Sequence, residues 1–141
     1  MGLDMYLYSF EDKDRKKILN YKKLSSKDQW KIFEEMEALA DWRKANMLHN
    51  FFCTYGEECL KEVLYIIPRT LISEFLIKAS VVITKRDKDL SAKALPTCSG
   101  FFYGSVEYDD DYYLIVCEAI KTLADVLNNN SDDEFVYYAS W

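Results

Sequence analysis

The amino-acid sequence predicts an α+β domain, with a small, mainly antiparallel sheet of about three strands packed against about three helices. Three observations predict it. Short alternating or β-branched runs stand near both ends and once in the middle. Three longer stretches repeat apolar residues at helical spacing. No strand runs into the tight turn that leads to a helix in a doubly wound sheet. A length of 141 residues suits one domain spanning 1–141. A chain of this size buries roughly two-thirds of its unfolded surface, enough for a core without staples.

Residues 2–10 read as a strand, because Leu3, Met5 and Leu7 alternate with Asp4, Tyr6 and Tyr8. Residues 11–23 are dense in charge and read as a solvated loop or short helix. Ser26 with Gln29 three residues on makes a capping box, so a helix is expected from Ser26 to about Phe52, ahead of Gly56. Phe33, Met36, Ala40, Met47 and Phe51 form its core stripe, and Trp42, Asn46 and His49 a neighbouring one. Residues 60–67 are short and β-branched, hence a strand. Pro68 cannot continue a central strand and suits the first turn of a helix. That helix carries Leu71, Phe75, Ala79 and Val82 on one side and ends at Lys85 and Arg86, favourable at its negative pole. Residues 87–94 read as a polar connection, and Pro96, Gly100 and Gly104 argue against a helix over 95–105. A third helix begins near Asp109, Asp110 and Asp111, buries Tyr113, Val116, Ile120, Leu123 and Leu127, and ends at 128–130. Residues 135–141 read as the last strand.

Charge is uneven along the chain. The formal net charge is −6, yet residues 101–141 hold one basic residue, Lys121, against nine acidic ones. Such a field repels phosphates and attracts basic partners, so direct nucleic-acid binding is disfavoured. No segment is long and apolar enough for a membrane helix, and the N-terminus lacks a basic flank followed by an apolar run. Tyr6 stands where a myristoylation motif needs Ser or Thr. A cytoplasmic protein is expected, with Cys53, Cys59, Cys98 and Cys117 reduced.

The candidates for chemistry are few. His49 is the sole histidine, and with Cys53 four residues on it matches no closed zinc pattern. A Cys98–His49 or Ser99–His49 pair lacks a nucleophile elbow. Ser99, Gly100, Gly104 and Ser105 resemble pieces of a phosphate loop, but no Gly-Lys-[Ser/Thr] follows and acids crowd the site. Asp109, Asp110 and Asp111 lack the order of a calcium loop. No metal or cofactor is expected. The stronger signal is aromatic: eleven Tyr, eight Phe and three Trp, many interleaved with the late acids. Tyr and Trp supply contact area at low entropic cost.

Four ordered blocks stand out. They are the opening Met-Gly-Leu-Asp-Met-Tyr-Leu, Trp42-Arg43-Lys44-Ala45-Asn46-x-x-His49-Asn50-x-Phe52, the 95–105 stretch Leu-Pro-Thr-x-Ser-Gly-Phe-Phe-Tyr-Gly-Ser with Tyr108, and the closing Tyr137-Tyr138-Ala139-Ser140-Trp141. Together they resemble a family of small, mostly uncharacterised phage and prophage proteins. By analogy, the resemblance implies a counter-defence factor of the anti-CRISPR type.

Three functions are therefore weighed. The leading expectation is a non-enzymatic inhibitor, acting in the cytoplasm of a bacterial host. It would bind a basic host protein such as a CRISPR-associated nuclease through Asp109, Asp110, Asp111, Tyr112, Asp132 and Asp133. The second is a sponge for a nucleotide signal, with a pocket of Trp42, Arg43, Asn46, His49, Ser99, Gly100, Tyr103 and Ser105. The third is a hydrolase using His49. Exposed aromatics would also favour a homodimer.

Overall fold

A computed structural model describes residues 2–60 and 63–141. The elements in chain order are β1 (Asp4–Ser9), α1 (Asp12–Leu19), a 3₁₀ turn (Tyr21–Lys23), α2 (Ser26–Glu35), β2 (Ala38–Arg43), α3 (Asn46–Tyr55), β3 (Glu57–Leu60), β4 (Leu64–Pro68), α4 (Arg69–Lys85), α5 (Lys88–Ala94), α6 (Asp110–Asn129) and β5 (Glu134–Ser140). The fold is α+β. Its five strands form one antiparallel sheet in the order β2-β1-β5-β4-β3.

The sheet has a helical layer on each face, because its central strands are apolar on both sides. Leu3, Met5 and Leu7, with Tyr65, Ile67, Phe135, Tyr137 and Ala139, pack under α3, α4 and α6. The helices answer with Phe51 and Phe52, with Leu71, Ile72, Phe75, Ala79 and Val82, and with Val116, Ala119, Leu123 and Val126. On the other face Leu64, Ile66 and Val136 meet Ile18, Tyr21, Ile32 and Met36 from the segment running from α1 to the end of α2. This second core is smaller, and Tyr8, Phe33 and Tyr138 at its margin are only half-buried.

Several expectations need correction. The helix expected over 26–52 is two helices separated by a strand. Ala38 to Trp42 have ordinary helix formers among them, but pairing with β1 (Met5 opposite Trp42, Leu7 opposite Ala40) outweighs local preference. Lys44 then turns the chain at φ 57°, and α3 begins two residues on. The α2 cap is Ser25 rather than Ser26: Ser25 Oγ accepts from the Asp28 amide at 3.2 Å. The 60–67 strand is a hairpin of β3 and β4, and Lys61 and Glu62 within it lie outside the described residues. The polar connection over 87–94 contains α5, capped by Asp87, whose carboxylate accepts from the Leu90 amide at 2.8 Å.

Pro68, expected in the first turn of a helix, is instead the last residue of β4, paired with Glu134, and β4 runs straight into α4. Pro68 is the N-cap of α4, where a missing N–H costs nothing. Arg69, the next residue, ties the start of α4 to the end of α6. Its guanidinium donates to the main-chain oxygens of Leu127 (2.6 Å), Asn130 (2.7 Å) and Asp132 (3.2 Å), satisfying carbonyls left over at the end of α6.

Candidate functional site

Asn46, His49 and Asn50 lie along α3 and face the 95–108 segment. Asn46 Nδ2 donates to the carbonyls of Tyr103 (3.1 Å) and Ser105 (2.9 Å), while its Oδ1 accepts from the Cys98 amide (3.3 Å). Asn50 Nδ2 donates to the Pro96 carbonyl at 3.0 Å. The segment has no ladder partner of its own, so these side chains satisfy its main chain. Leu3 joins them, its N–H reaching the Phe102 carbonyl at 3.2 Å. The tip is held under strain: Phe102 has φ 63°, unusual for a bulky residue, and Phe101 beside it is 76% exposed.

His49 is buried within this scaffold. Its Nδ1 is 2.6 Å from the Tyr137 hydroxyl and its Nε2 is 3.3 Å from the Tyr103 hydroxyl, and the edge of its ring meets Trp141. A neutral imidazole supplies one donor and one acceptor, which two hydroxyls can answer. Burial pulls its pKa from the ordinary 6.5 down to about 4 and pushes the Tyr137 hydroxyl well up. Cys53 Sγ lies 3.5 Å from Nε2 and 3.7 Å from Nδ1. A thiol on the lone-pair axis of one nitrogen would stand far from the other. The near-equal distances therefore place the sulfur beside the ring, not where a base takes a proton. Cys98 donates its S–H to the Asn46 carbonyl at 3.4 Å, and burial raises its pKa.

The eight residues expected to form one ligand pocket do not share one. Asn46, His49 and Tyr103 come together as a filled polar core. Ser99, Gly100 and Ser105 are exposed on the loop above it. Trp42 and Arg43 belong to β2 and line a groove elsewhere, with Arg43 Nε 3.6 Å from the Asp4 carboxylate. The helical stripe of Trp42, Asn46 and His49 is broken by the turn at Lys44.

The expected partner-binding acids also divide. Asp109 is the N-cap of α6, its Oδ1 accepting from the Tyr112 amide at 3.1 Å. Asp110 and Asp111 are exposed in the first turn, with Asp110 3.4 Å from Arg86 Nη2. Asp132 and Asp133 follow the other end of the helix, about 30 Å away for 20 residues. Tyr112 is corrected outright: it is buried, and its hydroxyl donates to the Leu95 carbonyl at 2.8 Å, so it offers no ring to a partner.

A different acidic surface emerges between those ends. Asp111, Glu118 and Asp125 are seven residues apart, two helical turns each, and form one exposed row along α6. Glu118 and Asp125 wall a groove of about 820 Å³ whose other side is β2, an edge strand. Glu37 and Asp41 line it from the strand side; Arg43 and Lys121 are its basic residues. Lys44 N–H donates to the Leu3 carbonyl, so by antiparallel alternation Trp42 turns its main chain towards β1 and Asp41 turns its own towards the open edge. The Trp42 indole N–H, in the groove wall, is buried without an acceptor among the described residues. The seven-residue spacing was visible in the sequence; the strand opposite it was not.

Among the described residues, no three His, Cys, Asp or Glu side chains converge as a metal site, and no helix is long and apolar enough to cross a membrane. No family model, curated protein or solved structure matches the chain.

Proposed function

We propose that this is a non-enzymatic counter-defence protein of a phage or mobile element, working in the bacterial cytoplasm by binding a basic host nuclease of the CRISPR-associated kind. The observation that supports this reading is the groove between β2 and α6. It combines an open strand edge, which can take an extended segment by main-chain hydrogen bonds, with carboxylates on both walls that select a basic one. Such a surface holds a Lys- or Arg-rich loop and keeps it from the nucleic acid it would otherwise contact. The resemblance to phage and prophage proteins gives the cellular setting. The hydrolase and nucleotide-sponge readings gain less from the geometry. His49 sits in a filled core, and the residues expected to bind a nucleotide face different places.

The test is capture of the tagged protein's partners from lysate of bacteria carrying such a defence system, followed by a cleavage assay with the captured nuclease. A basic nuclease released by moderate salt and inhibited by the protein is the expected result. Binding that ignores salt, or no basic nuclease among the partners, would count against the reading.

A further inference from the structure

On the face of the sheet away from the groove, six aromatic side chains surround one small cavity. Tyr6 and Tyr8 project from β1 and Tyr138 from β5. Tyr21 comes from the 3₁₀ turn, and Trp30 and Phe33 from α2. The register explains the convergence: Tyr6 lies directly opposite Tyr138, and Tyr8 is two residues along the same face. Tyr6 and Tyr138 stack at 6.4 Å, and Phe33 closes the floor at 5.2 Å from Tyr8 and 4.8 Å from Tyr138. Trp30 is the outer wall, 69% exposed, which is costly for a tryptophan with nothing to cover it.

Three features define what the cavity accepts. It is lined by six aromatic rings, four of them tyrosines, and by Ser140, and ring quadrupoles and hydroxyl oxygens attract positive charge. The hydroxyls of Tyr8, Tyr21 and Tyr138 are crowded. Each is pushed up from its ordinary pKa, mainly by burial and then by the neighbouring tyrosines, so negative charge is unfavourable there. The volume, about 180 Å³, is below the roughly 300–1,000 Å³ of a site for a drug-sized ligand and suits one headgroup. Among the described residues, the cations seated over rings lie elsewhere: Lys78 over Phe51 and Tyr55, and Arg86 over Tyr113.

We infer that this aromatic cage binds a quaternary ammonium group, held by the faces of Tyr6, Tyr8, Trp30 and Tyr138. A quaternary cation fits better than a bare ammonium because it sheds weakly held water on entering a mostly aromatic cavity and its methyl groups pack on the rings, whereas a primary ammonium gives up strong hydrogen bonds to water for neutral hydroxyls. The group could be carried by a choline-type small molecule or by a trimethylated lysine, and the chemistry recognised is the same.

The experiment titrates the intact protein with choline, with free N-trimethyl-lysine and with 3,3-dimethylbutanol, the uncharged carbon analogue of choline, following tryptophan fluorescence and NMR. Saturable binding of either cation, about tenfold or more weakened in the uncharged analogue, is expected. Whichever cation binds more tightly identifies the source. Trp30→Ala removes an exposed wall and leaves the fold intact; it and Tyr6→Ala should each weaken binding by about tenfold. Absence of saturation by both cations, equal binding of the uncharged analogue, or unchanged affinity in a folded Trp30→Ala protein would overturn the inference.

Discussion

Tyr137 and Tyr138 are neighbours in β5 and point to opposite faces of the sheet. Tyr137 is fully buried under α3, packs on Phe52 and shares a hydrogen bond with His49. Tyr138 is half-buried on the α2 side, where it stacks on Tyr6 and Phe33 at the rim of a cavity. The same residue type thus serves a closed, satisfied core on one face and an open aromatic surface on the other. The difference follows from how much helix covers each side. Three helices, including the two longest, cover the first face. Two shorter ones and a 3₁₀ turn cover the second.

If that contrast is right, truncations on the two faces should differ in cost. Phe75→Ala, at a fully buried position under α4, should destabilise by about 3–5 kcal/mol. Phe33→Ala, at a half-buried position on the α2 side, should cost about 1–2 kcal/mol, because water already reaches part of the ring. Urea denaturation of the two variants would check both values, and equal costs would break the comparison.

The closed face should also carry the protein's acid sensitivity. His49 has a folded-state pKa of about 4, below its ordinary 6.5, so the unfolded chain takes up a proton that the folded one refuses. Its contribution is complete above pH 6.5 and is lost as pH falls towards 4. The loss is about 2 kcal/mol by pH 5 and at most about 3 kcal/mol by pH 4. Unfolding free energy measured between pH 7 and 4 should show that slope, and His49→Gln should flatten it. A smaller and more local contrast comes from removing single hydroxyls. Tyr137→Phe strips His49 of its 2.6 Å partner inside the core and should cost about 1–3 kcal/mol. Tyr138→Phe, whose hydroxyl is at the cavity, should change stability by less than about 0.5 kcal/mol.

The sequence makes part of this contrast legible. Alternation in β1 already separates Leu3, Met5 and Leu7 from Tyr6 and Tyr8, and those are the two faces observed. The stripe of Leu71, Phe75, Ala79 and Val82 is a local pattern and survives unchanged in α4. What local pattern could not reveal was β2. Ala38, Leu39 and Ala40 continue a helical spacing, and only pairing with a strand about 35 residues earlier makes them extended. With β2 hidden, the groove beside α6 was hidden as well, and Trp42 and Arg43 were grouped with Asn46 and His49. Tyr112 was misplaced for a related reason: an aromatic beside three aspartates looks like surface until Leu95 provides a buried acceptor. The cage required Trp30 and Phe33 from α2 to meet β1 and β5, a convergence no single segment encodes.

A further small effect is expected at the corner where the misread helix breaks. Lys44 is exposed with φ 57°, so Lys44→Gly should relieve a left-handed conformation and stabilise the protein by about 0.5–1 kcal/mol in thermal or urea unfolding. A destabilised variant would mean that the Lys44 stem, which packs near Gly104, contributes more than the backbone costs.

The central claim is that the acidic groove beside α6 engages a basic partner. Its most direct test is inhibition of the captured nuclease by the wild-type protein and by a variant carrying Asp111→Asn, Glu118→Gln and Asp125→Asn, at low and at moderate salt. The account predicts about tenfold weaker inhibition by the variant at low salt, shrinking as salt screens the wild-type advantage. Equal inhibition by both proteins at every salt concentration would contradict it.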